Sequence, residues 1–434
     1  MTNGSVAAEF ADRVAGSLPS PPREAPPGQP VHTVYGGAHL FRADTAQKLG
    51  EVASRTLERY APRPADLAEA LGLEEADDLY RRVVAKLQTE PVEDYRIDFE
   101  DGYGVRSDEE EDGHARTVVE ELARGMADQT LPRMVGIRIK PLTSDLYRRS
   151  LRTLELVVTG LLEKAGALPG GFVVTVPKVR HPDQVAILVE FLGRLEEAAG
   201  SSVGRIPVEV MVETPETVVA PDGSVGVRRF VEAGDGRVRG AHFGTYDYTA
   251  ACGITAPHQT MDHPVCDFAR HVLQVSLAGT GVWLSDGATN VMPVPVHRGD
   301  DLTEEQIAEN RRVVHSAWRI HFEHIRRSLY LGYYQGWDLH PGQLPSRFAA
   351  VIGFFREGLD QTAARLSNFV EQAARATLVG EVFDDAATGQ GLLNHFLRAI
   401  DCGAVTEEEA TRLTGLTIEE LRLGSFTRIL AGRR

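Results

Sequence analysis

The sequence predicts a (β/α)8 TIM barrel (α/β class) that carries a helical insertion and a C-terminal helical extension. Eight short apolar runs rich in valine and isoleucine alternate with longer amphipathic segments. Apolar runs without polar alternation are typical of parallel strands that are covered on both faces. The chain has 434 residues and 42% hydrophobic content, which is enough for one large core plus additions. Eight strands separated by helices are what a closed parallel barrel requires.

The candidate strands and helices follow one another along the chain from Val31. We expect strands at 32–35, 95–99, 134–139, 172–176, 207–212, 238–243, 282–284 and 331–337. The segments with helical periodicity are 44–60, 107–126, 144–166, 182–199, 264–278 and 303–328. Thr303 and Gln306 form a capping-box pattern at the start of the last helix.

Three segments lie outside a minimal barrel, which we place at 31–357. Residues 1–30 are predicted to be a flexible, proline-rich lead-in. Residues 62–91 are predicted to form an inserted helical pair between the first helix and the second strand. Residues 358–434 are predicted to be a helical extension. There Thr406 with Glu409, and Thr417 with Glu420, repeat the capping-box spacing.

The extension contains an apolar stripe that must be buried against something. The stripe runs along one helical face and consists of Leu392, Leu393, Phe396, Leu397 and Ile400. We expect a closed homo-oligomer, a trimer or a hexamer, with the extension at or near a subunit contact. The alternative is an extension that folds back over the bottom of its own barrel.

Composition excludes several classes of partner and site. The net charge of −16 opposes binding to a phosphate backbone, so nucleic acid is not an expected partner, and neither is a DNA-reading helix-turn-helix in the extension. No stretch approaches the ~20 apolar residues that cross a bilayer, and the N-terminus lacks the apolar core of a signal peptide. Three cysteines without CxxC spacing indicate a reducing compartment, so we expect a cytoplasmic location.

Other familiar motifs are missing or poorly spaced. No Walker A loop or GxGxxG pattern occurs, which disfavours nucleotide hydrolysis and NAD chemistry. His321 and His324 are three residues apart on a predicted helix and lack the HExxH spacing of a zinc site.

Polar residues follow most of the predicted strands, where a barrel carries its chemistry. Carboxylates follow the second, fifth and sixth strands, and an arginine and lysines follow the strands between them. Glu213 and Asp247, on adjacent strands, form an oxygen-rich pair suited to Mg²⁺. An arginine fork beside them would fit a substrate carboxylate. The alternative interpretation is an ordinary ring of salt bridges at the barrel rim.

At these positions the chain resembles the citrate lyase β-subunit-like branch of the HpcH/HpaI aldolase superfamily. The resemblance covers roughly 95–260 and 331–345, somewhat under half the chain. Six motifs occur in the family's order, each at a strand end: DFEDG (98–102), GIRIK (136–140), VPKV (176–179), VETP (212–215), FGTYDYTAACGIT (243–255) and LHPGQ (339–343). Any one of them is weak evidence, but six in order are strong.

The resemblance implies a role for each matching residue. Glu213 and Asp247 would bind Mg²⁺, with Mn²⁺ as the alternative ion, and Arg138 would hold the substrate carboxylate. Glu100 and Asp101 would border the metal's water molecules, and Asp101 falls where related short aldolases have a histidine that takes part in proton transfer. Lys178 would orient the acidic cluster, although a purely structural ion pair is an equal alternative. His340, in the LHPGQ motif, and His39, just after the first strand, are further candidates for contacting substrate; for His39 a structural hydrogen bond is an equal alternative.

The chain also departs from the family pattern. The fifth-strand motif reads ETPE, whereas the family usually has a small residue after the threonine. In some relatives a catalytic aspartate comes from a neighbouring subunit's C-terminal segment, and here only Asp384 and Asp385 are candidates. These departures leave open the acceptor and the use of a CoA thioester.

The sequence therefore predicts a Mg²⁺-dependent carbon–carbon lyase or aldolase that acts on a 2-oxo acid, or a related hydroxy acid, through an enolate. Two alternatives remain. The stretch WLSDGATNVMPVP (283–295) and the DYT after the sixth strand are similar to malate synthases, which would condense glyoxylate with an acyl-CoA. The chain could also be a non-catalytic barrel that binds a metabolite or serves assembly.

Overall fold

The predicted barrel is present and closed. A computed structural model describes residues 26–200, 204–299, 301–376 and 386–433. Eight parallel strands pair in sequence order, and the last pairs with the first. They are β1 His32–Gly37, β2 Asp94–Asp98, β3 Met134–Arg138, β4 Val173–Val176, β5 Val208–Val212, β6 Val238–Phe243, β7 Trp283–Ala288 and β8 Gln335–Asp338.

All eight predicted strands exist, but the last two are shifted. β7 extends four residues beyond the predicted end at 284, and the predicted start of β8 at 331 belongs to the end of a helix. Both ends contain glycine or charged residues that interrupt the apolar pattern, and there the pairing of β7 with β8 also shifts register.

Helices follow the strands and cover the outside of the barrel. The barrel helices are Thr45–Tyr60, Asp108–Asp128, Tyr147–Ala165, Pro182–Ala199, Pro215–Val218, Gly226–Ala233, Thr245–Ala251, Pro264–Leu277, Glu304–Tyr330 and Leu344–Arg356. Thr303 does cap the long helix, since its hydroxyl accepts a hydrogen bond from the Gln306 N–H. None of the helices in the described ranges is long and apolar enough to cross a membrane.

The barrel interior contains a layer of buried charge. The Arg96 guanidinium lies 2.8 Å from Asp94 and 2.7 Å from Glu209, and all three side chains are inaccessible to solvent. His242 and Arg239 also face Glu209, at 3.3 and 3.8 Å. Buried charges are tolerated only when they are paired, as they are here. The network occupies the barrel interior beneath the C-terminal mouth.

The predicted insertion is a helical pair, Pro64–Leu71 and Asp77–Thr89. It packs on the long helix Glu304–Tyr330 and on Leu344–Arg356. The Asp66 carboxylate ties it to the barrel by accepting hydrogen bonds from Arg63 within the insertion and from Arg311 on the long helix. These contacts place the insertion on the outer helices of the barrel.

The extension folds onto its own barrel. Its helices are Leu359–Ala376, Ala386–Asp401, Glu407–Thr414, Ile418–Arg422 and Phe426–Gly432. Leu393 and Phe396 of the apolar stripe are fully buried, and the neighbouring His395 ring lies 5.3 Å from Phe355 of the last barrel helix. The apolar stripe that suggested a subunit contact is thus covered by residues of the same chain. This agrees with the alternative in which the extension folds back over its own barrel. The homo-oligomer stays a prediction that rests on the family resemblance.

The end of the lead-in lies across the bottom of the barrel. The Pro26 carbonyl accepts a hydrogen bond from the Trp283 indole, and the Gln29 amide donates to the Leu284 carbonyl and to Gln335. The Gly28 N–H donates to Asp401 of the extension. Residues 1–25 of the predicted lead-in, and the candidates Asp384 and Asp385, lie outside the described residues.

Candidate active site

The predicted site residues of strands β2 to β6 meet at the C-terminal mouth of the barrel. Five carboxylates lie there with two cationic side chains, and each group is connected to another by contact or by electrostatic interaction. The carboxylates are Asp98, Glu100, Asp101, Glu213 and Asp247, and the cations are Arg138 and Lys178. The convergence predicted for the acids after strands β2, β5 and β6 is therefore present.

Arg138 is held by the carboxylate directly across the β2–β3 pairing. Asp98 and Arg138 are register partners. Asp98 accepts hydrogen bonds from Arg138 Nε at 2.7 Å and Nη2 at 2.5 Å, and its oxygens also accept from the N–H groups of Glu100 and Gly102. The opposite nitrogen, Arg138 Nη1, lies 3.1 Å from Glu100 Oε2. One edge of the guanidinium is thus fixed, and the end that carries Nη1 faces the acidic mouth.

Lys178 lies among the acids that follow β2. Its ammonium is 2.6 Å from Glu100, 2.9 Å from Asp101 and 3.8 Å from Asp247. Burial opposes the charge of Lys178, but Glu100 and Asp101 outweigh burial and raise the pKa of the ammonium. The backbone at Lys178 has a φ of 49°, a left-handed conformation that is uncommon for a residue with a side chain. Such strain at a strand end is often found at functional sites.

Glu213 is almost completely buried in the mouth. Its side chain is 2% exposed, and its Oε1 accepts a hydrogen bond of 2.5 Å from the Lys178 N–H. Gly244 makes room for it, since a Cβ at that position would lie 2.6 Å from Glu213 Cβ and 2.8 Å from Oε2. Burial raises the pKa of Glu213 to about 8, and the negative charges of Asp247 and Glu100 add to that effect.

Asp247 and Asp101 form the open side of the cluster. Their side chains are 46% and 56% exposed. Asp247 lies in the first turn of the helix Thr245–Ala251, and burial followed by the repulsion of Asp101 raises its pKa. Burial would also raise the pKa of Asp101, but its contacts with Lys178 outweigh burial and lower the pKa. Asp101 is therefore ionised at neutral pH.

The donor set fits a hard divalent cation. Five carboxylates against two cations leave surplus negative charge, and an added positive ion would relieve the raised pKa values of Glu213 and Asp247. Within the described ranges, no group of three or more His, Cys, Asp or Glu side chains is gathered as a metal cage. Mg²⁺ usually takes one or two protein carboxylates and fills its other positions with water and substrate oxygens, so Glu213 and Asp247 could serve as its protein ligands.

The two predicted histidines lie beside the mouth in different surroundings. The His39 ring lies 5.6 Å from the Tyr103 ring and 6.1 Å from the His114 ring. His340 Nδ1 accepts a hydrogen bond from the Gly342 N–H, which fixes the turn after β8. Its other ring nitrogen then carries the proton, and burial lowers the pKa of the ring.

The acids at the ends of β7 and β8 serve the fold. Asp286 accepts hydrogen bonds from Arg270 at 2.9 Å and from Ser328. Asp338 is enclosed by His32, His321 and Arg347. Because His321 is bound to Asp338 whereas His324 bonds to Thr289, the two histidines are not joined in a zinc site.

The role of Asp98 was not predicted from the sequence, although the residue stands first in the DFEDG motif. Its position directly opposite Arg138 depends on the β2–β3 register. Alignment of the two predicted strands by their apolar runs would have been the available signal.

Comparisons with known proteins place this geometry among related barrels. The model of a family described as a domain of unknown function (DUF6986) matches residues 14–429. None of the curated proteins matches the sequence.

Solved structures share the fold at low sequence identity. A citrate lyase from Burkholderia xenovorans LB400 is 20% identical, with a TM-score of 0.54 over 89% of this chain and 96% of that one. A malate synthase from Haloferax volcanii in a lead(II) complex is 15% identical, with a TM-score of 0.49 over 92% and 99%. An HpcH/HpaI aldolase/citrate lyase family protein from Burkholderia cenocepacia J2315 is 13% identical, with a TM-score of 0.39 over 77% and 95%. The closed eight-stranded sheet and the fold shared with the citrate lyase confirm the barrel expected from the resemblance.

Proposed function

This chain belongs to the DUF6986 family, and we propose that it is a Mg²⁺-dependent carbon–carbon lyase or aldolase. Its substrate would be a 2-oxo acid, or a related hydroxy acid, that reacts through an enolate. The fold shared with a citrate lyase is consistent with this chemistry. The proposal is carried by the site itself, because a shared barrel does not specify a reaction.

The observation that carries the proposal is the buried carboxylate of Glu213. A glutamate that is 2% exposed, and that faces two further acids, is costly in the absence of a compensating cation. The structure supplies it with a backbone N–H donor and a glycine that admits its carboxylate. A cation that binds at the mouth would offset the free-energy cost of burying the Glu213 charge.

Glu213 and Asp247 would hold the metal ion. They follow adjacent strands, and the charge of Asp247 contributes to the raised pKa of Glu213. When bound, Mg²⁺ would supply a Lewis acid that stabilises negative charge developing on the 2-oxo group.

Arg138 would bind the substrate carboxylate through the end of its guanidinium. Asp98 occupies Nε and one side of Nη2, so Nη1 and the outer N–H of Nη2 are the donors directed away from Asp98. These two donors form the second bidentate edge of an arginine. Glu100, now 3.1 Å from Nη1, would share that nitrogen or yield it to the substrate.

Asp101 would move the proton. Its lowered pKa makes it a base at neutral pH, and its exposed carboxylate can approach a bound substrate. In the cleavage direction, the hydroxyl proton passes to Asp101, a carbonyl forms, and the carbon–carbon bond breaks. The electron pair of that bond stays on the 2-oxo fragment as its enolate, which then takes a proton at carbon. Lys178 holds Asp101 in place and limits the charge of the cluster.

Turnover with a panel of oxo acids tests the proposal. Pyruvate and oxaloacetate would each be supplied with an aldehyde acceptor, and glyoxylate would be supplied as an acceptor. Each mixture would contain Mg²⁺ or EDTA, with or without acyl-CoA. We expect Mg²⁺-dependent turnover that Glu213→Gln abolishes. Glu232→Gln is the matched control, because Glu232 is exposed and its ion pair with Arg228 is on a surface helix.

The outcomes separate the alternatives. Turnover only with acyl-CoA and glyoxylate would favour condensation of the malate synthase type. Binding of an oxo acid without any turnover would favour a metabolite-binding barrel. Turnover that survives EDTA and Glu213→Gln would contradict the proposed site.

A further inference from the structure

The Arg138 guanidinium lies over the ring of a tyrosine from β1. Arg138 Cζ is 4.9 Å from the centre of the Tyr35 ring. Arg138 is nearly inaccessible to solvent, at 5% exposure, so this cation–π contact is desolvated, and such contacts are stronger when water is excluded. The motifs of the sequence do not include Tyr35.

The contact complements the one that Asp98 makes. Asp98 binds the guanidinium in its own plane, through Nε and Nη2. A carboxylate in the plane permits the group to tilt about the line of those two bonds. The Tyr35 ring lies beneath the guanidinium and limits tilting towards that side. Together the two contacts determine where the edge that Asp98 does not bind is directed.

The Tyr35 ring is itself held from behind. It packs on the Trp337 indole of β8, with ring centres 4.7 Å apart and an angle of 36° between the planes. Trp337 in turn donates a hydrogen bond of 3.2 Å to His242 Nδ1, and His242 faces Glu209 in the buried charge layer. Side chains of β8 and β6 therefore connect the Tyr35 ring to the buried charge layer.

We propose that Tyr35 is a positioning residue that fixes the orientation of the Arg138 guanidinium so that the edge that Asp98 does not bind faces the mouth. The aromatic face is the feature that acts. The Tyr35 hydroxyl interacts with Arg96 of the buried charge layer. Its removal should therefore leave the contact between the ring and Arg138 intact. The use of that edge for a substrate carboxylate rests on the proposed function, whereas the orientation of the guanidinium does not.

The guanidinium can be observed directly by NMR in protein labelled with ¹³C and ¹⁵N at arginine, in which the Arg138 signals are assigned by their loss in Arg138→Lys. In the wild type we expect restricted rotation of the Arg138 guanidinium and slow exchange of its Nε–H. Tyr35→Phe should keep both properties, and Tyr35→Leu should lose them while the other arginine signals remain. If the Arg138 signals of Tyr35→Leu match those of the wild type, Tyr35 does not position the guanidinium.

Binding of pyruvate in the presence of Mg²⁺ tests the functional consequence. For Tyr35→Leu we expect a loss of affinity on the order of tenfold, the scale of a desolvated cation–π contact, and Tyr35→Phe should bind as the wild type does. The loss should appear in KM more than in kcat. Equal affinity of all three proteins would overturn the functional part of the inference. Absence of pyruvate binding by the wild type would instead count against the proposed function, while the NMR result still decides the role of Tyr35.

Discussion

Replacement of Glu213 by glutamine should stabilise the metal-free protein. Glutamine keeps the shape of the side chain and an oxygen that accepts the Lys178 N–H, but it removes the charge. The pKa of Glu213 is raised from an ordinary value of 4.5 to about 8. An acid whose pKa is higher in the folded state binds its proton more tightly there. It therefore lowers stability progressively as the pH rises from about 4.5 to about 8.

The size of the effect follows from the shift. Each pKa unit corresponds to about 1.4 kcal/mol, so the penalty should be under about 1 kcal/mol at pH 5 and should approach about 4 kcal/mol at pH 8. Local relaxation and water entry reduce such penalties, so these figures are upper values. Glu213→Gln should thus unfold at higher urea concentration than the wild type, by an amount that increases with pH.

Glu209, on the strand that Glu213 directly follows, provides the matched contrast. Burial alone would raise the pKa of Glu209, but Arg96 and then His242 outweigh burial and hold the pKa well below its usual range. An acid with a lowered pKa stabilises the fold above its unfolded pKa and loses that contribution as the pH falls. Glu209→Gln should therefore destabilise the protein at pH 8, by about 3–5 kcal/mol for a broken buried pair.

Urea unfolding at pH 5 and pH 8, in EDTA and in excess Mg²⁺, would measure both variants. We expect opposite signs for the two substitutions in EDTA at pH 8. Mg²⁺ should stabilise the wild type by mass action and leave Glu213→Gln unchanged. A Glu213→Gln protein that is less stable than the wild type in EDTA at pH 8 would refute the reasoning about surplus charge at the mouth.

Four further predictions can be checked independently. Glu213→Ala and Asp247→Ala should each fold and lose tight Mg²⁺ binding in calorimetry, and unchanged affinity in both would disprove the ligand assignment. Arg138→Lys should lose at least ~10²-fold in kcat/KM, because an ammonium cannot replace the bidentate edge; near-normal steady-state rates would make Arg138 a structural ion pair. Phe396→Ala should cost about 3–5 kcal/mol in thermal unfolding, since its ring is fully buried and its helix packs against Leu344–Arg356. We expect light scattering on the full chain to show a trimer or a hexamer. If the extension forms a subunit contact, a chain truncated at Glu357 should lose that assembly, and an unchanged assembly would exclude such a contact.

The sequence by itself determined the barrel and the composition of its mouth. Parallel strands buried on both faces leave a strong local signal, and polar residues at the ends of such strands have few explanations other than a site. Glu213, Asp247 and Lys178 were therefore predicted from strand ends and from the family resemblance, and the structure brings them together. The helix Leu344–Arg356 was not predicted, because nearly all of its residues are buried between the barrel and the extension and no polar face marks it.

Only the tertiary structure decided how the charged groups are divided. Glu209 lies on β5 and Glu213 directly follows the end of that strand, four residues later. Both are buried, yet the pKa is lowered in the first and raised in the second. The difference arises because Arg96 and His242 surround the first whereas Asp247 and Glu100 face the second. In the same way, the β2–β3 register sets Asp98 against Arg138, and the barrel's closure sets Tyr35 beneath it. Such electrostatic surroundings depend on strands distant in sequence, so no local pattern of residues encodes them.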